Sequence, residues 1–188
     1  MSDAPMSAGP LSTGTPLFRI ERRRDLDAAP VLSALGAESF CETFGDLYRP
    51  EDLNAFLREH HSPDCYRRLI ADPERAVWTA TTQEGETAAY ASAGPCGLPV
   101  ENPPARSGEL LRLYVLGRFQ GAALGRRLLK TALDWLEGRF DAVYLSVYAE
   151  NHGAQRLYAR HGFEKVGEYC FMVGEHADPE YIMKRRRA

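Results

Sequence analysis

Apolar and polar positions alternate over Leu17 to Glu21, which predicts a short first strand. Residues Asp25 to Phe40 take on helical periodicity after an acidic start, as a helix N-terminus prefers. Pro50 opens a second helix with Leu53, Phe56 and Leu57 at helical spacing, and Cys65 to Ala71 reads as a third. Ala76 to Thr82 and Thr87 to Ala93 then read as two strands, joined through the hairpin turn Gln83-Glu84-Gly85-Glu86. Gly94 to Ser107, with four prolines, is a loop. Glu109 to Val115 is a strand, with Leu111, Leu113 and Val115 on one face and Arg112 and Tyr114 on the other. Beyond it the pattern predicts a helix over Ala123 to Glu137 and a strand over Ala142 to Tyr148. A helix over Asn151 to His161, ended by Gly162, and strands over Phe163 to Tyr169 and Glu180 to Lys184 complete the chain. This order of elements is a mixed α/β plan, a central sheet with helices packed on it, in a single domain over residues 17 to 188.

Composition narrows the class. A chain of 188 residues with 44% hydrophobic and 26% charged positions suits one soluble globular domain. The net charge of -3 argues against a nucleic-acid partner. No apolar run is long enough to span a bilayer. Residues Met1 to Pro16, rich in Ser, Gly, Pro and Ala and without the layout of a secretory signal, read as a disordered tail. Cys41, Cys65, Cys96 and Cys170 are scattered, which reads as reduced thiols in a cytoplasmic protein, and the five histidines lack the spacing of a metal site.

The candidate chemistry begins where the strand ending at Val115 runs through Leu116-Gly117-Arg118-Phe119-Gln120-Gly121-Ala122-Ala123-Leu124-Gly125-Arg126-Arg127 into a helix. Free amides at a helix start, with the helix dipole behind them, form an anion site suited to a phosphate or pyrophosphate. Plain punctuation is the other reading of such a turn. A P-loop is excluded by the missing Gly-Lys-Ser/Thr, and a dinucleotide fingerprint by the glycine spacing.

Leu113-Tyr114-Val115, Gln120-Gly121-Ala122-Ala123-Leu124-Gly125, Asn151-His152-Gly153-Ala154-Gln155-Arg156-Leu157-Tyr158 and His161-Gly162-Phe163 together resemble the GNAT superfamily of acyl-CoA N-acyltransferases. The resemblance covers roughly residues 108 to 185. It implies a mostly antiparallel, twisted central sheet with helices on both faces. It also implies an enzyme that moves an acetyl group from acetyl-CoA to an amine, with no metal. The backbone from Gln120 to Arg126 (Gln120, Gly121, Ala122, Ala123, Leu124, Gly125 and Arg126) would cradle the pyrophosphate. Main-chain groups of Leu113, Tyr114 and Val115 would hold the pantetheine arm as an added strand. Asn151 would contact that arm, and as a helix N-cap it has a second, compatible role. The family pattern has glycine where Ala123 stands; the expectation is that this position is already helical, so that alanine costs nothing there.

By the same resemblance Tyr158 is the general acid that protonates the leaving thiolate. The face it shares with Ala154, Leu157 and His161 allows a core role instead. An amine with a pKa near 10.4 needs a base, and Glu109 is the candidate; a strand-end surface charge is its other reading. The stretch from Glu38 to Asp46, followed by Pro50-Glu51-Asp52, is acidic and aromatic and loosely similar to bacterial polyamine acetyltransferases of the superfamily. It points to a small cationic amine as acceptor; a solvated helix face explains the same residues, and a protein lysine or N-terminal amine stays open. A catalytically silent acyl-CoA sensor on the same fold is the competing class. Many members of the superfamily dimerise, which allows a homodimer.

Overall fold

In the computed structural model, residues 17–186 are described; the tail expected over Met1 to Pro16 lies outside them. The order is β1 (Arg19–Arg23), a 3-10 turn at Leu26–Ala28, α1 (Ala29–Phe44), a second 3-10 turn at Gly45–Leu47, α2 (Pro50–His60), α3 (Pro63–Ala71), β2 (Ala76–Thr81), β3 (Thr87–Pro95) and β4 (Ser107–Val115). A third 3-10 turn at Gly117–Phe119 leads to α4 (Leu124–Glu137), β5 (Ala142–Tyr148), α5 (His152–Arg160), β6 (Phe163–Val173) and β7 (His176–Arg185).

The strands form one seven-stranded sheet in the order β1-β2-β3-β4-β5-β7-β6. Every neighbouring pair is antiparallel except β4 and β5. That parallel pair is short, with Ser107, Gly108 and Glu109 registering against Ala142, Val143 and Tyr144. Beyond Glu109 the two strands part. β4 stays paired with β3 up to Val115, and β5 with β7 up to Tyr148. Each strand therefore carries an unpaired edge facing the other across a wedge.

Helices cover both faces. On one, α4 buries Leu124, Leu128, Leu129, Ala132, Leu133 and Leu136 against a strand surface built from Ala80, Ala89, Ala91 and Trp78. Small side chains on the strands let the leucine-rich helix approach closely, and the burial of six apolar side chains supplies most of the hold. On the other face, Leu32 and Leu35 of α1 and Tyr66 and Leu69 of α3 pack on Val77, Tyr90 and Leu116.

The structure corrects three local readings. First, α1 begins only at Ala29, after the 3-10 turn, and runs to Phe44. Second, the face assignment along β4 breaks at a bulge. Ser92 pairs with Arg112 but Ala93 pairs with Leu110, leaving Leu111 as the extra residue. Leu111 therefore packs with Tyr114 on the α1–α3 side, while Leu113 and Val115 face α4. Third, the last two strands are longer than their patterns predict, closing a hairpin at Gly174 (φ +59°). Outer-edge β6 has little apolar burial between Phe163 and Val173, so its hydrophobic signal fades after the first residues.

Candidate active site

The wedge between β4 and β5 opens into a cavity of about 1060 Å³, whose walls draw on β4, β5, β6, β7, α1, α2, α3, α5 and the start of α4. At its α4 end the turn is built for exposed amides. Gly121 has φ +85° and Ala123 φ +56°. A Cβ at Gly121 would meet nothing within 4 Å, so glycine is there for its backbone conformation and the space above it is open. Ala123 is the N-cap of α4 and supplies no side-chain acceptor, so the first-turn amides of Leu124, Gly125 and Arg126 have no intrahelical partner. The expectation that Ala123 is already helical is thus wrong. It is left-handed, outside the helix, and costs about 1 kcal/mol relative to glycine.

Of the residues expected to hold the cosubstrate, Leu113, Tyr114, Val115, Gln120, Gly121, Ala123, Leu124, Gly125, Arg126 and Asn151 all line the cavity. Ala122 does not; it packs against the core. The Gln120 side-chain amide donates to the Val115 carbonyl at 3.2 Å, fastening the turn to the strand end. Asn151 caps α5, its Oδ1 accepting the Ala154 amide at 3.0 Å. These residues fit a ligand that has a pyrophosphate and an amide-bearing arm. Open amides sit at a helix start, and a free strand edge leads away from them.

Tyr158 is buried, its ring edge-on to Phe163 at 6.0 Å, and it borders the cavity. It is therefore part of the core and of the cavity wall at once. Burial raises its pKa, so the hydroxyl keeps its proton at neutral pH. Glu109 is not a surface charge. It is 8% exposed, faces the cavity, and accepts the Gly97 amide at 2.8 Å. Burial raises its pKa, and the Gly97 bond and the charge of Arg75 offset part of that rise.

The structure divides the acidic and aromatic stretch in two. Its rings, Phe40 and Phe44, do line the cavity, beside Tyr48 and Phe56 from outside the stretch. Its carboxylates do not. Glu38 pairs with Arg118, Glu42 accepts the Gly117 amide, and Asp52 pairs with Arg49. Four carboxylates line the cavity: Asp72, which pairs with Arg75, and Glu109, Asp178 and Glu180. The last two went unnoticed in the sequence; their signal is an i, i+2 carboxylate pair on one strand, which places both on one face. Asp178 accepts the Tyr48 hydroxyl on one oxygen, and His176 Nε2 lies 3.1 Å from the other. Also unnoticed was a buried chain on the α1–α3 side, in which His61, Tyr66 and Tyr90 are linked by hydrogen bonds. No cluster of metal-binding side chains occurs among the described residues. No helix among them is long and apolar enough to cross a membrane.

A split sheet, a helix start with open amides at one end of the split and a buried tyrosine beside it are the parts of an acyl-CoA-dependent transferase. The acetyltransferase (GNAT) family model matches residues 39–163, and the chain belongs to that family. An uncharacterized N-acetyltransferase of Mycobacterium tuberculosis is 32% identical over 161 residues, covering 84% of this chain and 96% of its own. The N-alpha-acetyltransferase RimI of the same organism is 32% identical over 149 residues, 76% of this chain and 88% of its own. A spermine/spermidine N(1)-acetyltransferase of Bacillus subtilis is 37% identical over 62 residues, 32% of this chain and 41% of its own. Among solved structures, the PaiA N-acetyltransferase of Thermoplasma acidophilum in complex with coenzyme A superposes with a TM-score of 0.70 at 20% identity. It covers 90% of this chain and 99% of that one. The protein is therefore an N-acetyltransferase of the GNAT family.

Proposed function

We propose that the protein transfers an acetyl group from acetyl-CoA to the primary amine of a small cationic acceptor, such as a polyamine, by direct attack in a ternary complex. The observation that carries this reading is the cavity itself. Aromatic rings from α1 and α2 share the space that reaches the open edge of β4 with four carboxylates, Asp72, Glu109, Asp178 and Glu180, and with five arginines, of which Arg75 pairs with Asp72 and Arg112 donates to the His60 carbonyl. Among the described residues Glu180 pairs with no lysine or arginine, and a carboxylate so placed in a cavity with aromatic walls favours a cation beside it.

The cosubstrate supplies an acyl group already activated as a thioester. The amides from Gly121 to Arg126 would bind its pyrophosphate, and the edge from Leu113 to Val115 would align its arm, with Asn151 beside it. Tyr158, kept protonated by burial, would give its proton to the departing sulfur. A carboxylate of the cavity wall would receive a proton from the amine.

A second reading is favoured by one observation: the relative named as an N-alpha-acetyltransferase aligns over three quarters of the chain, whereas the polyamine-acetylating relative aligns over a third. In that reading the acceptor is the α-amine of a protein N-terminus. The setting in either case is the cytoplasm, where the free cysteines stay reduced.

The test is coenzyme A release from acetyl-CoA, read with a thiol reagent added after quenching because of the four cysteines. The acceptors are spermidine, spermine, small diamines, a lysine peptide and a peptide with a free α-amine. Release with the polyamines or diamines and not the peptides supports the first reading, and the reverse pattern supports the second. No release with any acceptor, with acetyl-CoA binding seen by calorimetry, sinks both and leaves the silent sensor.

A further inference from the structure

Glu180 sits on β7 between Tyr148 of β5 and Tyr169 of β6, its two cross-strand partners. Tyr148 lies four residues past the last position at which β5 touches β4, so Glu180 stands beside the open part of the wedge. Its carboxylate lines the cavity and accepts the Tyr169 hydroxyl at 3.2 Å.

The groups that face Glu180 are Asp178 on its own strand, Ser146 on β5, Tyr169 on β6, Glu109 and Tyr114 on β4, Tyr158 on α5, and Tyr48 between α1 and α2. All are hydroxyls or carboxylates. No lysine or arginine among the described residues pairs with it. Glu109 differs: one of its oxygens is committed to the Gly97 amide, and Arg75 acts on it. A half-buried carboxylate without a counter-ion is costly, and a cation arriving beside it relieves that cost.

We propose that Glu180 is the carboxylate that binds the acceptor ammonium and takes its first proton, with Glu109 holding the loop after β3. This assignment rests on the amine-acetyltransferase reading above. The ammonium gives one proton to Glu180, and the freed nitrogen pair attacks the acyl carbon. The carbon–nitrogen bond forms and the carbon–sulfur pair leaves with sulfur, which receives the Tyr158 proton. The surplus proton on nitrogen restores Tyr158 through solvent, and Glu180 returns its own to solvent. The net products are an amide, a thiol and one released proton.

The experiment pairs Glu180→Gln with Glu109→Gln in the full chain. Spermidine binding to the coenzyme A complex is measured by calorimetry in two buffers of different ionisation heat, alongside pH–rate profiles with acetyl-CoA. In wild type, binding should release protons, because a cation beside Glu180 favours its ionised form. Glu180→Gln should abolish that release, weaken spermidine binding at least tenfold and remove the acidic limb of the kcat/KM profile, with coenzyme A affinity within twofold of wild type. Glu109→Gln should keep both the proton release and the acidic limb. Loss of those signals in Glu109→Gln with retention in Glu180→Gln overturns the assignment, as does wild-type behaviour of both variants. If Glu180→Gln does not fold, Glu180→Asp serves: it should keep proton release and the acidic limb while losing rate, and loss of the limb would overturn the assignment. Absence of acceptor-dependent turnover in wild type instead sinks the underlying reading, so the two failures are distinguishable.

Discussion

Nδ1 of His61 lies 2.9 Å from the hydroxyl of Tyr66, and that hydroxyl lies 2.7 Å from the hydroxyl of Tyr90. Burial, with Arg112 and His60 nearby, pushes the His61 pKa down to about 3. In the unfolded chain it is about 6.5. Below that value the unfolded state binds a proton that the folded state refuses, so stability falls as pH drops from about 6.5 toward 3. Between pH 7 and pH 5 wild type should lose about 2 kcal/mol more than His61→Asn, read from urea unfolding at each pH. The raised carboxylates Glu109 and Glu180 act in the opposite direction but are common to both proteins. Equal slopes would mean that His61 takes up protons in the folded state.

Gly36 in α1 faces this same chain. A Cβ there would collide with the Tyr66 hydroxyl and with Nδ1 of His61. Gly36→Ala should therefore destabilise by about 1–3 kcal/mol despite the better helix propensity of alanine. Adding Tyr66→Phe should recover part of the loss, because it removes the nearer of the two atoms in the way. Additive costs in the double variant would count against the collision.

At Ala123 the left-handed backbone favours glycine. Ala123→Gly should raise stability by about 0.5–1 kcal/mol, seen as a higher thermal midpoint in the ligand-free protein. A lower midpoint would place alanine there for a reason other than backbone conformation.

Tyr158→Phe preserves the ring packing on Phe163 and removes only the hydroxyl. It should lower kcat by about a hundredfold or more, with acetyl-CoA affinity by calorimetry within twofold. Wild-type rates would take Tyr158 out of the mechanism.

Much of the fold was written in side-chain period. The leucine repeat of α4 and the alternation of β5 are each anchored by a face that is wholly buried. The bulge at Leu111 left no mark, because it swaps one apolar residue for another on a strand buried on both faces. The far halves of β6 and β7 were faint because an edge hairpin buries little. The cosubstrate side of the site was readable, since backbone amides at a helix start require small residues next to one another in sequence. The carboxylate wall beside β7 was not. Its charge comes from Glu180 and Asp178, which reach Glu109 and Tyr48 only after the sheet has placed β7 beside β5. Of the acidic residues that stood out along α1 and α2, Glu38 and Asp52 are used in ion pairs and Glu42 in a backbone contact instead.

The three-residue seam between β4 and β5 has a mechanical consequence. It is the narrowest join in a sheet whose other pairings run for five residues or more. Backbone pairing along this line of the sheet is therefore the sparsest, and α4, which packs on both β4 and β5, bridges it. A ligand arm bonded along the β4 edge, as proposed, would fill the wedge beside that seam. Its binding energy adds to the resistance to unfolding by mass action, so the lifetime of the folded protein would rise and fall with the concentration of the molecule it consumes.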